Sequence, residues 1–263
     1  RIPSSAASDV YKRQKVYSKN QIKKIKESGK LVAEVLRLAT AICQEGKTTL
    51  SIDKSIDNFI KKNKAKSIKG YKNYTFNSCI SIDEVILHGI PSKTKIKEGM
   101  IVNIDCPILY KGMWADGAVN VEVGKVSESK KELNRVSFEC LMNTIKIIKP
   151  GITIGEICKF QEEYVTNHNY EVIKTFRGHG VGRELHEPPF IPYFYDKTNP
   201  YNEYKVREGN VFTLEPTIVT EEDIILLDDN WSYKTKNDSF GTYWEHTILV
   251  TDSKAEIVTK LSN

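Results

Sequence analysis

Apolar positions along the first third of the chain recur with a helical period. Ile22, Ile25, Val32, Val35, Leu36, Ala39 and Ile42 mark one face of a predicted helix over residues 18–45, with Ser18 placed to cap it and Gly46 to end it. LSIDKSIDNFIKK predicts a second helix through Ile52, Ile56, Phe59 and Ile60, with Thr48 or Ser51 as cap. The pattern then shortens to strand-like runs around Ile80 and at Val85 to Leu87, and to Ile101, Val102 and Ile104. After Gly124 the order restarts, with a helix over residues 127–149 built on Leu133, Val136, Cys140, Leu141, Ile145 and Ile148.

An acid interrupts the apolar strand of the first half. Asp105 follows Ile104, and Asp116 comes beyond a turn signal at Tyr110, Lys111 and Gly112. Strand side chains alternate faces, so a hairpin with a two-residue loop puts both acids on one face. A loop at Tyr110 and Lys111 sets them directly opposite; a loop at Lys111 and Gly112 makes them diagonal neighbours. Crowding two carboxylates in an apolar setting costs several kcal/mol unless a proton or a cation neutralises them. Taken alone, the stretch also fits the polar outer face of an ordinary hairpin.

The second half repeats the first. Gly46, Thr48, Ile52, Lys54 and Phe59 match Gly151, Thr153, Ile157, Lys159 and Tyr164. Leu87, His88 and Pro91 recur as Leu185, His186 and Pro189, and KEGMIVNID recurs as REGNVFTLE, which lays Asp105 on Glu215. Most of these matches are offset by about 105 to 110 residues, too long for a solenoid unit, which points to two ααββ halves about a pseudo-twofold axis. Such an axis aims Asp105 and Glu215 at one spot. Glu245, at the head of an apolar strand, is the partner expected for Glu215, as Asp116 is for Asp105. Four converging carboxylates call for metal, and His179, between Gly178 and Gly180, is the candidate fifth ligand.

Composition narrows the class. The net charge of +5 is spread through every segment, and the Lys61 to Lys72 run reads as solvated surface, so no nucleic-acid footprint is expected. No window reaches the length of an apolar membrane span. Five cysteines without a CxxC pair suit reduced thiols in a cytoplasmic protein. Residues 1–14 do not share the character of the rest and are expected to be a non-native or disordered tail. Residues 15–263 are then expected to form a single catalytic domain, with halves over about 15–126 and 127–263.

The ordered set HGIP, NID, AD, GHGVG, LHEPP, FTLEP and YWEHT, from about Ser18 to Leu261, resembles the pita-bread metallopeptidases, and most closely the bacterial-type methionine aminopeptidases of type I. The resemblance implies an α+β pita-bread fold with a central antiparallel sheet, and hydrolytic removal of the N-terminal methionine of nascent polypeptides. It implies two divalent ions (Mn, Fe, Co or Zn) on Asp105, Asp116, His179, Glu215 and Glu245, with Asp116 and Glu245 bridging. Asp105 would hold one ion, and His179 and Glu215 the other. It gives His186 a contact with the developing oxyanion, His88 one with the scissile nitrogen, and Glu215 the proton shuttle. Ile68, Tyr71, Tyr74, Cys79, Leu185 and Trp231 would surround the methionine side chain. A monomer with transient ribosome contact is the implied setting. Pro107, Gly117 and Leu185 depart from the usual pattern. An Xaa-Pro aminopeptidase of the same fold is the nearest rival, though such relatives carry an additional amino-terminal domain, and a non-catalytic module that has lost its metals is the other. The step of 29 positions from His186 to Glu215 leaves no room for a type II insertion.

Overall fold

The computed structural model describes residues 16–221 and 223–261, and the expected tail lies outside them. Four long helices follow the apolar pattern: α1 (Lys19–Ile42), α2 (Thr49–Lys62), α3 (Glu128–Ile147) and α4 (Ile154–Thr166). Their starts are written in side chains. Ser18 caps α1 in a reciprocal box with Gln21, and Thr153 caps α4 with Glu156. On α2 both expected cap residues take part: Thr48 caps, and the Ser51 hydroxyl accepts the Thr48 N–H at 3.2 Å. α1 ends at Ile42, the last residue of its apolar pattern and three short of the expected end at residue 45, and the chain then turns at Gly46 with φ +81°.

The helices cover an eight-stranded sheet built from β1 (Cys79–Ile82), β2 (Ile101–Asp105), β3 (Gly117–Glu122), β4 (Arg177–Gly180), β5 (Glu187–Pro192), β6 (Val211–Leu214), β7 (Glu245–Val250) and β8 (Ala255–Ile257). Its order is β1-β2-β3-β7-β6-β4-β5, with β8 beside β7, and its pairs are antiparallel. The seam between the halves is the β3 to β7 pair, where Ala118 faces Glu245 and Gly117 faces His246. β7 is not the last strand, since β8 turns back along it.

The repeat read in the sequence recurs as hydrogen bonds. Gly46 N–H donates to Ile96 and Gly151 N–H to Val206; Gly99 N–H donates to Val123 and Gly209 N–H to Val250. Each of the four glycines has positive φ, between +81° and +96°. The acidic hairpin turns at Lys111 and Gly112, both left-handed, with Tyr110 opposite Met113 and Ile108 opposite Ala115. This selects the diagonal arrangement. The register runs on into Asp105 opposite Ala118, and Pro107 falls where Asp116 would be its partner. Cys106 donates to the Gly117 carbonyl at 3.1 Å, so by the alternation of the ladder the next pair does not exchange hydrogen bonds. Pro107 therefore removes no bond from this hairpin.

Val32, Leu36, Ile52, Ile56, Val102 and Ile104 form the core of the first half, and Leu141, Ile154, Ile157, Phe212, Leu214 and Ile248 that of the second. Each such side chain contributes roughly 1.5–3 kcal/mol on burial, which is what can offset acids placed on the opposite face of the same strands. Gly117 fits beneath α1, where a Cβ would come within 3.2 Å of a Val32 methyl.

Candidate active site

The sheet register lines the acids up before any side chain is considered. One row runs across three strand pairs: Cys79 opposite Asp105, Asp105 opposite Ala118, Ala118 opposite Glu245. On the other side of β7, Leu214 stands opposite His246, which carries Glu215 to the place across from Glu245. Asp116, two residues before Ala118, points to the same face. Its N–H donates to the Thr247 hydroxyl at 2.8 Å, and its carbonyl accepts from the Thr247 N–H, which fixes it to β7.

His179 enters from β4. Its N–H donates to the Thr213 hydroxyl at 3.0 Å, and Nδ1 lies 3.0 Å from the Gly180 carbonyl, which leaves Nε2 aimed at the acids, 3.6 Å from Glu215 Oε1. The flanking glycines answer to the backbone beside them. A Cβ on Gly178 would sit 2.6 Å from the Thr213 carbonyl oxygen, and one on Gly180 would sit 2.4 Å from that of Pro188. Close neighbouring backbone requires them.

Asp116, His179 and Glu245 offer ligand atoms that all lie within 4.8 Å of one another, and all three residues are buried. Asp105 Oδ2 accepts from the Tyr243 hydroxyl at 2.9 Å, while Glu215 accepts from Thr213 at 2.8 Å and from Tyr193 at 3.0 Å. Asp105 Oδ1 and Glu245 Oε1 are buried without a hydrogen-bond partner. Orphaned carboxylate oxygens aimed into a shared space are costly as they stand and suit a hard or borderline cation. The donor set of the five residues fits divalent metal.

Electrostatics describes the same strain. Burial pushes Asp105 up to about 6. Burial, then the charge of Asp105, pushes Glu215 up to about 8. Burial first, then neighbouring carboxylates, hold Asp116 and Glu245 well above the usual carboxylate range. Burial moves the histidines the other way, to about 4 for His88 and His179 and about 3 for His186. All three are neutral near pH 7.

These groups share a cleft of about 460 Å³. Every site residue read from the sequence lines it: Ile68, Tyr71, Tyr74, Cys79, Leu185 and Trp231 on the apolar side, His88 and His186 above, and the five acid and imidazole candidates at the base. His186 Nδ1 lies 3.0 Å from the Tyr71 hydroxyl, and its ring centroid is 4.2 Å from that of His179. His88 is held at φ +54°, uncommon outside glycine, with its ring edge-on to Phe176. Trp231 meets Tyr74 edge to face at 4.9 Å. The Cys79 thiol, pushed well above its ordinary pKa by burial and then by Asp105, is a wall and not a nucleophile.

Sequence reasoning missed Lys72, Thr175, Phe176, Arg177 and Phe190 on the cleft wall, and Thr213, Tyr193 and Tyr243 behind the acids. Tyr243 could have been found, being two residues before Glu245 on the approach to the same strand. Lys72 was hidden in a run that reads as solvated surface.

Residues 23–252 match the model of metallopeptidase family M24. The chain is 36% identical over 251 residues to a methionine aminopeptidase of Buchnera aphidicola subsp. Schizaphis graminum, covering 94% of this chain and 95% of that protein. It superposes on the crystal structure of methionine aminopeptidase from Thermotoga maritima with a TM-score of 0.89 at 37% identity, covering 94% of this chain and 99% of the other. Prolidase from Pyrococcus furiosus shares the fold, with a TM-score of 0.78 at 24% identity over 97% of this chain and 68% of that one. Near full-length likeness at this identity, together with the pita-bread sheet and its row of acids, shows that the chain belongs to metallopeptidase family M24, among its methionine aminopeptidases.

Proposed function

We propose that residues 15–263 form one catalytic domain that removes the N-terminal methionine from nascent proteins and peptides with a pair of divalent ions, Mn, Fe, Co or Zn. The observation that carries this reading is the buried cluster of Asp116, His179 and Glu245 beside the unpartnered oxygens of Asp105 and Glu245. Asp116 and Glu245 would bridge, Asp105 would hold one ion, and His179 with Glu215 the other. When bound, the ions supply Lewis acidity that polarises a carbonyl and lowers the pKa of water.

The chain's own groups do the rest. Glu215 accepts a proton from the attacking water and returns it to the leaving amine. His186, whose Nδ1 is occupied by Tyr71, offers Nε2 to the carbonyl oxygen as it becomes negative. His88 contacts the scissile nitrogen. Ile68, Tyr71, Tyr74, Cys79, Leu185 and Trp231 enclose the methionine side chain, a long unbranched thioether that gains from aromatic neighbours. The setting is a monomer acting in the cytoplasm on chains leaving the ribosome; among the described residues no helix is long and apolar enough to cross a membrane.

The test is product analysis on Met-Ala and Xaa-Pro peptides, with and without a chelator, for the wild type and for Glu215→Gln. Methionine release that stops on chelation and falls by orders of magnitude in Glu215→Gln is expected. Cleavage of Xaa-Pro peptides alone would overturn the reading.

A further inference from the structure

Beyond its acids, which face the floor, the cleft is bordered by two cations. Lys72 and Arg177 both line it, both are exposed, and neither forms an ion pair with a described residue. Each is instead laid against an aromatic ring, with Lys72 Nζ 5.3 Å from the Tyr71 centroid and the Arg177 guanidinium 5.1 Å from that of Phe190. Surface lysines elsewhere in the chain do pair with acids, as Lys26 does with Glu256 and Lys111 with Glu27.

The backbone at Lys72 shows that its position is imposed. Gly70, Lys72 and Asn73 all have positive φ, at +91°, +45° and +67°. A left-handed lysine is uncommon and persists only when its surroundings over-determine it. Here three bonds close the turn: Gly70 N–H to Tyr74 O, Tyr71 N–H to Ile68 O, and Tyr74 N–H to Tyr71 O, at 2.7, 2.8 and 2.8 Å. The same turn carries Tyr71 and Tyr74 of the apolar pocket. Its neighbour Tyr71 reaches His186 Nδ1 at 3.0 Å, which sets the turn that carries Lys72 beside the reacting end of the cleft. Arg177 opens β4 two residues before His179 and lies across from Pro192.

We propose that Lys72 and Arg177 form a carboxylate subsite that selects peptides with a negative charge just beyond the scissile bond. The proposal rests on the aminopeptidase reading of the same cleft. With the methionine side chain in the apolar pocket, the chain leaving the scissile bond must pass out along the wall these cations border. Two sources carry the chemistry: an acidic third residue, or the free C-terminus of a tripeptide.

The experiment compares kcat/KM for Met-Ala-Glu-Ala amide, Met-Ala-Gln-Ala amide and Met-Ala-Gln with a free C-terminus. It uses the metal-loaded wild type and the Lys72→Gln/Arg177→Gln double variant. A preference of about five- to tenfold for a carboxylate-bearing peptide over the Gln amide is expected, collapsing toward unity in the double variant and shrinking as salt is raised. Preference for the Glu amide assigns the side-chain source, and preference for the free tripeptide alone assigns the terminal one. Equal rates on all three peptides in the wild type, or a preference that survives in the double variant, overturns the subsite. Failure to release methionine from any of them removes the aminopeptidase reading, and this inference with it.

Discussion

His179 and Glu215 meet at 3.6 Å, Nε2 to Oε1, and share one hydroxyl: Thr213 accepts the His179 N–H and donates to the Glu215 carboxylate. Thr213 has no exposed surface, so neither bond can be replaced by solvent. Thr213→Val, similar in shape, is therefore expected to cost about 1–3 kcal/mol of stability and to weaken divalent-metal binding by roughly 10–100-fold, with Thr213→Ser restoring both. Titration calorimetry with Mn²⁺ checks this, and unchanged affinity in the valine variant would show that the hydroxyl does not orient the ligands.

Removal of metal should make stability depend on pH in a defined direction. Glu215 titrates near 4.5 in an unfolded chain and at about 8 in the fold, and Asp105 rises from 3.8 to about 6. A raised carboxylate binds more protons folded than unfolded, so its contribution is present below the unfolded value and lost as pH rises through the folded one. The depressed histidines act oppositely, losing stability as pH falls from 6.5 toward about 4, or about 3 for His186. Above pH 6.5 only the acids count. The melting temperature in chelator should fall from pH 6.5 to 8 and stay level when Mn²⁺ is present; a flat profile in chelator would contradict the crowding of the acids.

Gly178→Ala should disturb the site without adding a charge or removing a polar group. Its Cβ would lie 2.6 Å from the Thr213 carbonyl oxygen, a backbone atom that cannot swing aside. A loss of about 1–3 kcal/mol is expected from strand displacement, with reduced metal affinity because Thr213 and His179 both border the clash. Thermal melts and metal titration of the variant check both parts, and a wild-type melt would mean that β4 can slide.

Tyr17 ties the start of the described chain to the loop that carries His186. Its hydroxyl donates to Glu187 and accepts the Arg183 N–H at 3.1 Å, and its ring lies where a Cβ on Gly182 would go. Tyr17→Phe removes both bonds at a buried acid and is expected to cost about 1–3 kcal/mol. The loss should appear in hydrogen exchange as earlier opening of residues 182–187, and unchanged protection there would show that the loop is held by other contacts.

Legibility differed by kind of information. The helices, the repeat and the acids could be read because each rests on local periodicity or on one half matching the other, as Asp105 matches Glu215. The choice between opposite and diagonal acids could not, since it turned on which two residues took left-handed φ at Lys111 and Gly112. The groups behind the ligands were less visible still. Tyr193 and Tyr243 reach acids 22 and 138 residues away, a relation set by strand order and not by spacing. Lys72 is exposed, as expected of its run, but composition describes a run of charges and not the one turn that sets a member of it at the rim of the cleft.

The seam at β3 and β7 has a consequence for assembly. Asp105 and Asp116 belong to one side of it, and His179, Glu215 and Glu245 to the other, so each side brings a pair of crowded carboxylates to the seam. Closing the two sides on each other adds to the repulsion within each pair, since Asp116 is held up by burial, then by Asp105 and then by Glu215 from across the seam. A cation held between them would then act as a fastener, making the union of the halves a step that responds to metal.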